Sequence, residues 1–253
     1  LLRSHGIEVI VYEDRAEEAT PDSIFPNNWF STFSKEVVLY SMFTPNRRRE
    51  RKERIYQDLS QRLNKPLNTD LLALEEELEI LEGTGSLVCD YKNKVAFAAL
   101  SDRTHHKALD RFEEVTGYET VRFNANGPDG NAIYHTNVMM CIADNYAVVG
   151  VDTIVDENRE AVVRRLQDLG KEIIALSNEQ VFDYFAGNML QLQNKRGDKF
   201  IVMSAKAEQS LTEHQVRVFE KYQNTIIAPS IPLIEYIGGG SVRCMMAELY
   251  PNE

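Results

Sequence analysis

The chain has 253 residues, 43% of them hydrophobic, enough for a packed core in one large domain or two small ones. With 39 acidic against 28 basic residues the net charge is −11, which argues against non-specific attraction to nucleic acid or to an anionic membrane and favours a small-molecule partner. Three scattered cysteines, Cys89, Cys141 and Cys244, form neither a disulfide framework nor a zinc motif, so the expected setting is reducing and cytoplasmic. No run approaches the roughly 18 apolar residues that a membrane helix needs.

In chain order, Leu1 to Gly6 resembles the tail of a helix, and Ile7 to Tyr12 is β-branched and aromatic, as a strand would be. Phe25-Pro26-Asn27-Asn28-Trp29-Phe30 follows, then a strand-like Val37 to Tyr40 and a charged helix from about Arg47 in which Ile55, Leu59 and Leu63 recur four apart. The same order returns three times. After Glu82 come the apolar runs at Leu87 to Cys89 and Val95 to Leu100, then a helix from about Thr104 with Ala108, Phe112 and Val115 on its apolar face, stopped by Gly117. After His135 come Val138 to Ile142, Ala147 to Val149, and a helix with Val162, Leu166 and Leu169 before Gly170. After Asn188 come Met189 to Leu192, Phe200 to Met203 and a helix whose expected capping box is Ser210-Leu211-Thr212-Glu213.

Asn28, Glu82, His135, Asn188 and Cys244 stand 54, 53, 53 and 56 residues apart. A period of this length indicates supersecondary units in register, each reading strand, turn, strand, helix, strand, and five units closing radially would gather the anchors at the heads of inner strands. The N-terminal stretch would then complete the last unit, which by that regularity needs about twenty residues upstream of Leu1.

Such a ring would bring together Cys244, His135 and Glu82, a thiol, a proton carrier and an orienting or substrate-holding carboxylate, which is the set that nucleophilic catalysis needs. The glycines Gly238 to Gly240 permit close approach of backbone to a ligand, and Arg243 beside the thiol favours the thiolate or binds a substrate carboxylate. Arg47 to Arg54 is expected to be a solvated helix face, since acids interrupt it, and His105-His106 to lie on the surface. Cys89 and Cys141 are expected in the core.

Five ordered motifs carry a resemblance that covers essentially the whole chain: Phe25-Pro26-Asn27-Asn28-Trp29, Glu82-Gly83-Thr84-Gly85-Ser86, Tyr134-His135-Thr136-Asn137, Gly187-Asn188-Met189 and Gly238 to Met245. Together they resemble the guanidine-modifying, arginine-deiminase-like and amidinotransferase-like superfamily, with the nearest likeness to its citrulline-utilisation hydrolases. The resemblance implies a single five-bladed α/β propeller domain, the pentein fold, of ββαβ repeats, without metal or cofactor. It implies Cys244 as nucleophile, His135 as general acid and base, and Glu82 as the substrate-holding carboxylate. Deiminases of the superfamily usually carry aspartate where this chain has Asn28 and Asn137. Two carboxamides suit a neutral ureido group better than a guanidinium, so the expected reaction is hydrolysis of citrulline to ornithine, carbon dioxide and ammonia. An arginine deiminase or dihydrolase, an amidinotransferase with the same three residues, and a non-catalytic binding propeller are the alternatives. The sequence leaves a homo-oligomer open.

Overall fold

The computed structural model describes residues 1–250. Four three-stranded sheets follow one another along the chain, and each repeats one topology: the first two strands pair antiparallel and the third joins the second in parallel. The first sheet contains β1 (Phe30–Thr32), β2 (Val37–Leu39) and β3 (Leu67–Asn68), and the second β4 (Val88–Asp90), β5 (Val95–Ala99) and β6 (Glu119–Phe123). The third contains β7 (Met140–Ile142), β8 (Tyr146–Val149) and β9 (Glu172–Ala175), and the fourth β10 (Leu190–Gln193), β11 (Lys199–Val202) and β12 (Asn224–Ile227).

A parallel pair needs a crossover, and the helical periodicities supply it. Between β2 and β3 run α1 (Pro45–Arg48) and α2 (Glu53–Leu63), the second burying Ile55 and Leu59 on one face. A short α3 (Gly83–Ser86) precedes β4, and α4 (His106–Thr116) links β5 to β6, burying Ala108, Leu109 and Phe112 and ending at Gly117 with φ 71°. The crossover of the third sheet is α5 (Asp156–Asp168), with Val162 and Leu166 inward, and α6 (Asn178–Phe182) follows β9. In the fourth sheet α7 (Ala205–Ser210) and α8 (Glu213–Lys221) make the crossover, and α9 (Pro232–Gly238) follows β12.

The α/β class and the ββαβ repeat hold four times over. A fifth sheet does not form among the described residues: Ile7 to Tyr12 is not a strand, and Val242 to Met245, including Cys244, is a turn. Both stretches are apolar enough for strands, but neither joins a sheet among the described residues. Two further expectations change. The capping box of α8 is Thr212 with Gln215, because Ser210 ends α7 instead of opening α8. The basic run is not a solvated face, since Arg47, Glu50 and Lys52 are buried. Cys141 is buried in β7 and Cys89 half-buried in β4.

The chain forms two compact units. One holds the third and fourth sheets together with Leu1–Val11, Asn124–Asn131 and Asn137–Arg243. The other holds the first two sheets in Tyr12–Phe123, with Ala132–Thr136 and the stretch that begins at Cys244. In this second unit Phe33, Tyr40, Leu81, Leu87, Leu109 and Phe112 share one apolar cluster, and Trp29, Phe30, Met42, Ile55 and Leu59 another. Phe112 is fully buried, so Phe112→Ala is expected to cost about 3–5 kcal/mol of stability, read as a lower midpoint in chemical denaturation.

Candidate active site

Each of the first three anchors lies at a single helical turn just ahead of the first strand of its sheet. Asn28 ends the 3₁₀ turn Pro26–Asn28 before β1, Glu82 is the N-cap of α3 before β4, and His135 stands ahead of the 3₁₀ turn Thr136–Val138 before β7. The anchors therefore sit outside the sheet ladders.

Glu82 is completely buried, and both of its carboxylate oxygens are engaged. Oε1 accepts from the Phe43 backbone N–H at 3.0 Å. Oε2 accepts from Arg103 Nη1 at 3.1 Å and lies 2.7 Å from His135 Nε2. Burial alone would raise the Glu82 pKa. The His135 hydrogen bond, the charges of His135 and Arg103, and the Phe43 N–H outweigh it and hold the carboxyl down at about 2.

An ionised carboxylate 2.7 Å from Nε2 requires the proton to be on that nitrogen. The Asn28 amide nitrogen lies 3.0 Å from Nε2 and 3.5 Å from Nδ1, against the edge of the ring. Next in the chain, Thr136 Oγ1 donates to the Ser86 carbonyl at 2.5 Å and accepts from the Ala99 N–H at 2.8 Å, which fixes the backbone that carries the imidazole. Burial lowers the His135 pKa below its usual value. Glu82 opposes this, and the charges of Arg103 and Arg47 reinforce it.

Two glycines make room for the cluster. Gly83 has φ +46°, and a Cβ there would lie 2.6 Å from the Asn27 carbonyl oxygen. A Cβ on Gly85 would fall 2.6 Å from Asn28 Nδ2 and 3.1 Å from His135 Nδ1 and Cε1. Only glycine lets α3 pass this close to both side chains.

Cys244 is buried and lies within electrostatic reach of Tyr134, the residue next to His135. Burial first, then Cys244, push the Tyr134 phenol up to about 12, against the charges of Arg103 and Arg47. The Tyr134 ring packs 4.9 Å from the His135 ring, and the Arg103 guanidinium lies 5.4 Å from Tyr134 and 5.8 Å from Phe43.

Six residues were expected at the site. The structure brings Glu82, His135 and Asn28 into one cluster, Glu82 hydrogen-bonded to the imidazole and Asn28 against its edge, with Cys244 within electrostatic reach of the tyrosine that flanks it. Asn137 is buried in the Thr136–Val138 turn, where its backbone carbonyl accepts from Asn188 Nδ2 at 2.9 Å. Arg243 is buried immediately before Cys244. The sequence reading missed Arg103 and Arg47. Arg103 stands 21 positions after Glu82 with no motif around it, and Arg47 was hidden in a run of like charges. No cluster of three or more His, Cys, Asp or Glu side chains able to hold a metal occurs among the described residues, and no helix there is long and apolar enough to cross a membrane.

The family model described as N,N dimethylarginine dimethylhydrolase, eukaryotic, matches residues 1–251. The chain belongs to this family. The dimethylarginine dimethylhydrolase match places it in the guanidino-modifying superfamily that its motifs resemble, in which dimethylarginine dimethylhydrolases and arginine dihydrolases are hydrolases acting on amidino C–N bonds. No curated protein matches the chain. Among solved structures, the fold matches apo ArgZ, an arginine dihydrolase from the ornithine-ammonia cycle in Cyanobacteria, with TM-score 0.76 and 14% identity over 98% of this chain and 36% of that one. It matches a mutant of AgrE in binary complex with L-arginine, with TM-score 0.73 and 14% identity over 100% of this chain and 34% of that one. It also matches a cysteine-to-serine mutant of the dimethylarginine dimethylhydrolase of Pseudomonas aeruginosa complexed with citrulline, with TM-score 0.62 and 15% identity over 90% and 76%. The chain spans about a third of the length of the first two. These matches show the α/β pentein class for a dimethylarginine dimethylhydrolase family member.

Two outcomes test the cluster. Glu82→Gln removes the group that raises the His135 pKa, so the imidazole, followed by NMR, is expected to titrate at still lower pH than in the native protein. Gly85→Ala is expected to displace Asn28 or the imidazole and lower turnover by about 100-fold, read by steady-state kinetics beside an unchanged far-UV spectrum.

Proposed function

We propose that the protein hydrolyses the ureido C–N bond of citrulline through a covalent cysteine intermediate, releasing ornithine, carbon dioxide and ammonia. The observation that carries this reading is the charge balance around Glu82. Its carboxylate already answers the guanidinium of Arg103 and the Phe43 N–H, and the charge of Arg47 acts on it as well. A guanidinium substrate would enter a buried site whose carboxylate is already neutralised, and an unpaired buried cation is costly. A neutral ureido group meets no such penalty, and the carboxamide of Asn28 both donates and accepts.

In this mechanism His135 takes the Cys244 proton, and the thiolate attacks the ureido carbon. His135 then gives the proton to the departing side-chain nitrogen, so ornithine leaves and an S-carbamoyl thioester remains. Water adds to that carbonyl carbon with its proton passing to His135, the thiolate departs, and the carbamic acid breaks down to carbon dioxide and ammonia. Glu82 holds the imidazole in orientation and stabilises its charged form between the two steps. Asn28 completes the proposal as a substrate contact.

A second reading keeps the same residues on the guanidino carbon of arginine or methylated arginine, and the family match favours it. An amidinotransferase would replace water by an amine, and a binding protein without turnover would leave Cys244 unreactive. Amino-acid analysis after incubation with citrulline, arginine and dimethylarginine separates these readings. Ornithine and ammonia from citrulline, faster than any product from the two guanidines and without added amine, is the expected result, and preference for either guanidine refutes the citrulline reading. Cys244→Ser is expected to lower turnover by at least about 1,000-fold, measured in the same assay.

A further inference from the structure

The ion pair of Arg47 and Glu50 lies inside the unit that holds Glu82, and neither residue belongs to the reaction as written above. Arg47 is 7% exposed and Glu50 2%. The guanidinium reaches Glu50 with two bonds, Nε to Oε1 at 3.0 Å and Nη2 to Oε2 at 2.9 Å. Nη2 also donates to the Phe25 carbonyl at 2.9 Å. Burying a pair of charges is a poor way to gain stability, because desolvation offsets the attraction and apolar residues of similar volume serve as well or better. A role beyond stability is therefore to be sought in what the pair touches.

What it touches is the turn that carries Asn28. Phe25 is the N-cap of the 3₁₀ turn Pro26–Asn28, and the turn is held mainly through its backbone. The Asn27 carboxamide, although fully buried, finds no hydrogen-bond partner among the described residues. The backbone grips are Arg47 on the Phe25 carbonyl and Thr84 Oγ1 on the Asn27 carbonyl, the latter at 3.2 Å. Three residues after Phe25, Asn28 rests against the His135 ring. A bidentate, rigid guanidinium fixed by Glu50 holds that carbonyl in one place as a flexible ammonium would not.

We infer that Arg47, locked by Glu50, is a positioning residue that grips the Phe25–Asn28 turn and thereby sets Asn28 against His135. The inference rests on the reading of His135 as the acid and base of the proposed reaction. Arg47 also contributes charge, since the groups that act on the imidazole are Glu82, Arg103 and Arg47. Removing a nearby cation makes protonation easier, so loss of Arg47 raises the His135 pKa while loss of the grip lowers turnover.

The test uses three variants of the whole chain, each followed by citrulline kinetics, thermal melting and an NMR titration of His135. The double variant Arg47→Met with Glu50→Leu replaces the pair by apolar groups. It is expected to melt near the native temperature and to lose about 100-fold in kcat with KM within about threefold. Glu50→Gln keeps the cation but loosens it, and should lower kcat without raising the His135 pKa. Arg47→Lys, which keeps charge and loses the fork, covers the case in which the double variant does not fold, and it too is expected to lower kcat at a near-native His135 titration. Native kcat in a folded double variant, or in Arg47→Lys, overturns the inference, as does a loss confined to KM, which would make Arg47 a substrate contact. If the native protein turns over neither ureas nor guanidines, the functional reading has failed. The NMR contact between the Asn28 carboxamide and the His135 ring then decides the inference on its own: a contact unchanged in the double variant overturns it.

Discussion

The hydrogen bond between Glu82 and His135 is the constraint around which the second unit is arranged. A carboxylate with no exposed surface must have every lone pair answered, and this one is answered by a backbone N–H, a guanidinium and an imidazole contributed by three separate stretches of chain. Each donor in turn needs its own support. Arg103 lies beside the rings of Phe43 and Tyr134, the His135 backbone is tied through Thr136 to both Ser86 and Ala99, and α3 passes close only because Gly83 and Gly85 lack a Cβ. The packing is specific because a half-satisfied buried carboxylate costs more than an apolar core.

The same bond determines the charge states. With Glu82 held at about 2 it stays ionised at any working pH, and the imidazole beside it carries a proton on Nε2 while burial works against the charged form of the ring. A neutral, oriented imidazole with a stabilising carboxylate can accept a proton and return it, which a permanently charged one cannot. For folding, the lowered His135 pKa means that the unfolded chain binds the proton more readily. This contribution is full above the unfolded value near 6.5 and is lost as pH falls from there through the folded value.

Most of the architecture was legible in the chain. Recurrence of anchor, strand, turn, strand, helix was readable because each sheet reuses the same local patterns, and α2, α4 and α5 fall where Ile55, Phe112 and Val162 recur on one face. Glu82 and His135 were legible as a pair because they occupy equivalent positions, 53 residues apart. What was not legible depended on partners distant in sequence. Ile7 to Tyr12 has the composition of a strand, but strand formation needs a neighbour and composition cannot supply one. Arg47 looked like one more charge on a solvated face, because nothing local reveals that Glu50 and the Phe25 carbonyl enclose it. The helical turns at the anchors were too short for any periodicity to register.

Those short turns explain how a repeated scaffold carries unlike chemistry. Inter-strand pairing starts only after the anchor, at Phe30, Val88 and Met140, so the residues at Asn28, Glu82 and His135 have no ladder bond to preserve and no alternating face to match. Stability resides in the sheets and the crossover helices, where Val37, Phe97 and Val148 are fully enclosed, and it makes no demand on what the anchor is. One unit can therefore offer a carboxamide, the next a carboxylate and the next an imidazole without altering its fold. The demand falls instead on the neighbours, and the glycines of α3 and the grip on Phe25 are where the second unit meets it.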